Sequence, residues 1–244
     1  MGAEAAIHLP PSLRYDEPGA NGEPADAALA YDLVEALRPG LALDLGAGSL
    51  GTFLAWCRSV RDHDLGSVLH AVDPYLDDAA TEDGASTPSV VANHRLRARS
   101  RGFASLTVAR PDALRAHYPD GSLGLLRVDP SRLEAPRDEL LASWLRALAP
   151  GGVLVLTGVP PDELAGLEAT LPGALHLPLD GGVLLWGHPP HERSASPLLR
   201  ALDPRAGELR RDLVALYVHA ARHRRDLVEF GAIRFDPTRR RAER

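Results

Sequence analysis

Residues 43–51 read Leu-Asp-Leu-Gly-Ala-Gly-Ser-Leu-Gly, an acid two positions ahead of a glycine turn. Glycines lack the Cβ that would keep a ligand at a distance, and a helix starting directly behind them offers free N–H groups. Gly46, Gly48 and Gly51 also satisfy the G-x-G-x-x-G pattern, which admits a nicotinamide or flavin ligand. Asp44 shifts the balance, because that acid sits inside the end of the preceding strand. Asp73, Asp112 and Asp129 stand at or just after the ends of later apolar runs. A lone strand-end Asp is more often a cap or turn residue than a ligand; four in succession point to one site.

The elements that must position these residues follow from the apolar periodicity. Leu29, Leu33, Val34 and Leu37 recur at helical spacing from Asp26, and Pro39-Gly40 stops that helix. Short apolar runs predict strands over 41–45, 67–72, 106–109, 123–128 and 153–156, with helices over 52–60, 112–117 and 137–148. Pro150-Gly151-Gly152 reads as the break before the fifth strand. A further helix is expected over 161–170 and an antiparallel hairpin over 174–177 and 183–186. Alternation of this kind specifies a doubly wound, mostly parallel α/β sheet of Rossmann-like type, closed by an antiparallel strand, with its ligand crevice at the carboxyl ends of the strands.

Three regions are expected: a loose arm over 1–26, the α/β domain over 27–189 and a helical extension over 190–244. The acidic loop 76–89 suits a lid, and 90–100 reads as an Arg-rich helix. Leu209, Leu213, Leu216, Tyr217, Ala220 and Leu227 form one stripe of a long helix over 204–230. That stripe either packs back on its own sheet or pairs with a second copy as a homodimer.

With the acid, the glycine turn and the later carboxylates in this order, the sequence resembles the class I S-adenosylmethionine-dependent methyltransferases. The likeness extends over roughly residues 41–187 to a narrower group, the small methyltransferase domains often linked to glycosyltransferases and related to sugar O-methyltransferases. It is carried by Thr52-Phe53-Leu54-Ala55-Trp56-Cys57, Ala71-Val72-Asp73-Pro74-Tyr75, His117-Tyr118-Pro119-Asp120-Gly121-Ser122, Trp144 and Ala149-Pro150-Gly151-Gly152-Val153. The resemblance implies S-adenosylmethionine as cofactor. Asp44, Gly46, Ala47 and Gly48 would then face its amino-acid part, Asp73 its ribose hydroxyls, Tyr75 would pack beside it, and Asp112 and Ala113 would stand by the adenine.

In that group the fourth strand ends in Asp followed by a loop bearing His, and the fifth in His-Asp, resembling a divalent-metal site. Here Asp129 is present, but Pro130-Ser131-Arg132 follows it and the fifth strand ends Thr157-Gly158. One carboxylate is a poor magnesium site, so no metal ligands are expected. Leu50 stands where relatives carry glycine, beside Gly51. Methyl transfer from a sulfonium needs mainly an aligned nucleophile and optionally a base, so the catalytic candidates are Asp129 as base and Arg132 as the group that holds the acceptor or pairs with Asp129. His94 and His117 are weaker candidates.

The 244 residues are 45% apolar and 25% charged, as in a globular protein. All 27 basic residues are Arg, which excludes Schiff-base lysine chemistry and a P-loop lysine. A single Cys57 excludes an internal disulfide and multi-cysteine metal sites. No run is long and apolar enough for a membrane span, and the first 30 residues carry no secretory pattern, so a cytoplasmic location without membrane contact is expected. Residues 205–244 hold 11 Arg against 6 acids, whereas residues 1–204 are strongly acidic, so the body should repel nucleic acid. The sequence thus points to a methyltransferase acting on a small hydroxylated acceptor without metal. The alternatives are a catalytically degenerate module for cofactor or partner binding and a nicotinamide-dependent oxidoreductase.

Overall fold

The computed structural model describes residues 26–48, 50–74, 100, 102–133, 136–163, 166–167, 169–179, 181–188 and 196–234, with the side chains of 161, 220 and 222–234 left aside. The expected arm short of Asp26, Tyr75, the loop 76–89, the helix 90–100 short of Ser100 and with it His94, and the Arg-rich end lie outside these residues.

The parallel strands are β1 (Leu41–Leu45), β2 (Val68–Val72), β3 (Ala104–Thr107), β4 (Leu123–Val128) and β5 (Leu148–Thr157). Two more, β6 (Leu175–Leu177) and β7 (Val183–Gly187), complete a seven-stranded sheet in the order β3-β2-β1-β4-β5-β7-β6. β7 runs antiparallel to both β5 and β6, which is the expected closing hairpin. The connecting helices are α1 (Ala27–Leu37), α2 (Gly51–Asp62), α3 (Pro111–Leu114), α4 (Arg137–Trp144), α5 (Pro197–Arg200) and α6 (Gly207–Arg234). No helix among the described residues is long and apolar enough to cross a membrane.

Strand periodicity divides the core between the two faces of the sheet. Ala42, Leu125, Val153 and Val155 pack under Leu29, Leu33, Phe53 and Trp56 of α1 and α2. On the other face Leu43, Leu45, Leu126, Val128 and Leu154 meet Leu140, Leu141 and Trp144 of α4. The strands are apolar on both faces because helices cover both. Asp44 and Arg127 break that pattern. They are register partners across β1 and β4, on the face that α1 and α2 cover.

Several expected elements differ in extent, β3 among them, which spans Ala104–Thr107 rather than 106–109. β5 begins at Leu148 rather than Val153, since the chain stays paired through Pro150-Gly151-Gly152. The cost is a register irregularity opposite Leu123 and Leu125, the kind of bulge that tolerates glycine and proline in a strand. The helix over 137–148 is correspondingly shorter, ending at Trp144 and tightening into a 3-10 turn over Leu145–Ala147. Within the segment 161–170 the described residues include a 3-10 turn, Pro161–Glu163, and helical residues at 166–167.

The long C-terminal helix packs back on its own chain. Leu213 and Tyr217 are buried in the α1–α2 face of the core, and the Tyr217 hydroxyl donates to Asp32 Oδ2 of α1 at 2.6 Å.

Candidate functional site

The glycine turn lies at the carboxyl edge of the sheet, between β1 and α2. Gly46 N–H donates to Val72 O at 2.8 Å, tying the turn to the end of β2, and Asp129 N–H donates to Leu45 O at 2.9 Å, tying in the end of β4. Gly46 and Gly48 have φ of +80° and +54°, a region that costs a side-chain-bearing residue roughly 1–2 kcal/mol. A Cβ on Gly46 would stand 2.9 Å from Asp129 O. The turn is therefore closed by its neighbours as well as by its own backbone. Leu50, at φ 63°, adopts the same left-handed region as the helix N-cap, and its buried side chain is what offsets that strain.

Two guanidinium–carboxylate pairs organise this edge. In the first, Arg127 Nη1 donates to Asp44 Oδ1 at 2.8 Å and reaches Gly46 O at 3.4 Å. The same guanidinium stands 3.7 Å from Asp26 Oδ2 and 4.0 Å from Asp129 Oδ2. Asp26 also accepts from the Thr52 hydroxyl of α2 at 3.2 Å. Burial raises the Asp44 carboxyl above its ordinary value, with Arg127 pulling it back. Burial likewise opposes the charge of Arg127, but the surrounding carboxylates outweigh it and hold the guanidinium protonated. Asp44 is 0% exposed, so in this conformation no ligand reaches its oxygens and its influence on the turn is one of charge from beneath. Asp44 Oδ2 has no hydrogen-bond partner among the described residues.

In the second pair, Arg132 Nε donates to Asp73 Oδ2 at 3.0 Å. Gly48 N–H donates to the same oxygen at 2.7 Å. The Arg132 arm lies over the turn, since a Cβ on Gly48 would meet its Cδ and Nε at 3.2 Å. Asp73 is 0% exposed beneath it, whereas the Arg132 side chain is 39% exposed. Arg132 ends a 3-10 turn, Pro130–Arg132, capped by Asp129. Asp129 Oδ1 accepts from Ser131 N–H at 3.2 Å and from the Ser131 hydroxyl at 2.6 Å.

The structure thus brings Asp44, Gly46, Ala47, Gly48, Asp73, Asp129 and Arg132 to one place. Asp112 and Ala113 are exposed on α3, where a hydrogen bond from Arg110 holds the Asp112 carboxyl below the ordinary carboxylate range. An open row of carboxylates is the expectation from sequence; here Asp44 and Asp73 are instead covered by arginines. Arg127, Asp26 and Thr52 are the participants that sequence reasoning missed. Arg127 carried a signal, being the one charge in the apolar run 123–128 as Asp44 is in 41–45.

A nucleoside cofactor can be tested against these side chains. Asp26, Asp44, Asp73 and Asp129 outnumber the guanidiniums of Arg127 and Arg132, which suits a ligand bearing positive charge. The glycine turn and Asp73, locked together at 2.7 Å, offer backbone and carboxylate side by side. The acidic set and the glycine turn suit such a ligand, and Arg132 stands where the ligand would meet Asp73.

No protein-family model matches the chain, and no curated protein does. Solved structures do match. A methyltransferase from Geobacter sulfurreducens aligns with a TM-score of 0.52 at 19% identity, over 67% of this chain and 78% of that one. A proposed caffeoyl-CoA O-methyltransferase from Staphylococcus aureus aligns at 0.51 and 11% identity, over 70% and 86%. A cofactor-bound protein from MTB aligns at 0.50 and 14% identity, over 72% and 85%. At these identities the likeness is one of architecture: the chain has the Rossmann-like fold seen in methyltransferases.

Proposed function

We propose that the chain binds S-adenosylmethionine at the carboxyl edge of β1, β2 and β4 and transfers its methyl group to a small hydroxylated molecule. The observation that carries this is the bond from Gly48 N–H to Asp73 Oδ2 at 2.7 Å, which sets a carboxylate able to accept ribose hydroxyls against a turn whose glycines carry no side chains of their own. The bound cofactor supplies an electrophilic methyl on a sulfonium. Asp73 receives the ribose, Gly46 and Gly48 admit close approach, and the acidic surroundings favour the cofactor's positive charge. Asp112 and Ala113, at the start of α3, border the adenine side.

Asp129 orients the acceptor. Its Oδ1 is engaged by Ser131, leaving Oδ2 to hold an acceptor hydroxyl and take its proton. A nucleophile kept about 3–3.5 Å from the methyl carbon needs little else. The guanidinium of Arg127, 4.0 Å from Asp129 Oδ2, repels a second cation there, which favours transfer without a divalent metal. A second function, cofactor or partner binding without turnover, is favoured by the arginine cover over Asp73.

Thermal stabilisation by S-adenosylmethionine and S-adenosylhomocysteine, lost in Asp73→Ala, is the expected result. Stabilisation by NAD alone, or by none of these, would contradict the cofactor assignment. Release of S-adenosylhomocysteine with hydroxylated acceptors, surviving a strong chelator, separates turnover from binding alone.

A further inference from the structure

We propose that Arg132 is an internal competitor for the nucleoside site, holding the glycine turn closed until its side chain swings off Asp73. This rests on the cofactor assignment above and adds the step that controls entry.

Among the described residues, Arg132 makes two contacts across the site. Its Nε occupies Asp73 Oδ2 at 3.0 Å, the carboxylate that the ribose hydroxyls require. Its Cδ and Nε lie where anything approaching the outer face of Gly48 must pass. Asp73 is fully covered in this conformation, so a ribose that takes Oδ2 must displace the guanidinium from it.

The same side chain is built to leave. Arg132 is 39% exposed, unlike the wholly buried Asp73 and the nearly buried Arg127. Its backbone belongs to a three-residue 3-10 turn rather than to the sheet. A partly exposed pair is screened by water and is correspondingly weak. Arg127 cannot play this part, since it projects from β4 under α1 and α2 and is held by Asp26, Asp44 and Asp129. When Arg132 withdraws, Asp73 keeps its hydrogen bond from Gly48 N–H. The carboxylate is thus held in its binding orientation in both states, and only the cover changes.

The thermodynamic consequence is a reduced apparent affinity. If nine-tenths of the protein is closed, the apparent dissociation constant is about tenfold weaker than that of the open form. Removing the guanidinium recovers that factor. The gain falls on association, because the open form already makes all of the ligand's contacts.

The test is calorimetric and stopped-flow binding of S-adenosylhomocysteine to the full chain and to Arg132→Ala. Arg132→Met serves as a second variant that keeps much of the arm's bulk without the guanidinium, and each variant's melting temperature is recorded without ligand. Binding about tenfold tighter in Arg132→Ala, with a faster association rate and an unchanged dissociation rate, is expected; Arg132→Met should fall between it and the parent chain. Equal or weaker binding in both variants, or a change confined to dissociation, overturns the competitor role while leaving the cofactor assignment standing. Absence of binding in the parent and both variants overturns the cofactor assignment, and this inference with it.

Discussion

Replacing Arg127 with Met should destabilise the protein more than any change at the exposed rim. The guanidinium is 2.8 Å from Asp44 Oδ1, 3.7 Å from Asp26 Oδ2 and 4.0 Å from Asp129 Oδ2. Two of those acids are buried, Asp44 completely. Removing one partner of a buried pair leaves charge without compensation and costs about 3–5 kcal/mol. For a domain of this size each kcal/mol lowers the melting temperature by roughly 2–4 °C, so a loss of about 10 °C is expected. The protein should still fold, because the cost stays within a stability of about 5–15 kcal/mol. Adding Asp44→Asn to Arg127→Met should recover part of the loss, since the second change removes the stranded carboxylate. It should not recover all, because Asp26 remains. A double-mutant cycle by scanning calorimetry is expected to give a coupling energy of about 2 kcal/mol. A melting temperature for Arg127→Met unchanged from the parent, or a double variant that loses more than the two single losses combined, would refute the buried-pair reasoning.

Other consequences are simpler to measure. Tyr217→Phe removes a buried hydroxyl that donates to Asp32 at 2.6 Å; loss of such a charged hydrogen bond costs about 1.5–3 kcal/mol and should lower the melting temperature by roughly 5 °C. An unchanged melt would mean that α6 does not depend on this link. Burial pushes the Cys57 thiol up to about 12, so it should resist thiol reagents in the folded chain and react fully in denaturant; rapid labelling of the native protein would contradict this. Burial holds His70 below its ordinary value of 6.5, so the unfolded chain binds a proton that the folded chain resists. Stability should be full above that ordinary value and fall as the pH drops below it. Urea melts between about pH 7 and about pH 5 should show this slope, and His70→Gln should reduce it. His176, lowered by burial in the same direction, keeps part of the slope, and an identical profile in the variant would exclude His70 as a source.

The elements that the sequence revealed best are those set by local pattern. The run 123–128 lies between turn residues and is buried on both faces, so its length and type could be read directly. β5 was harder, because Pro150-Gly151-Gly152 carries turn chemistry locally while backbone bonds between Gly151, Gly152 and His188 keep it in the strand. At the site, Asp44 could be found because a strand, an acid and a glycine turn adjoin in the chain, and Asp73 because it ends the next apolar run. Which arginine would pair with which acid could not be read. Arg127 lies 83 residues from Asp44 and Arg132 lies 59 from Asp73, so each pairing depends on the register and order of strands. The packing of the C-terminal helix on α1 also depended on a distant contact, since Tyr217 and Asp32 are 185 positions apart.

The most direct measurement of the whole account is a crystal structure with S-adenosylhomocysteine bound. The ribose hydroxyls are expected within about 2.5–3.0 Å of Asp73, with the ligand against Gly46 and Gly48 and the Arg132 guanidinium displaced. A nucleoside bound elsewhere, while Arg132 still covers Asp73, would contradict it.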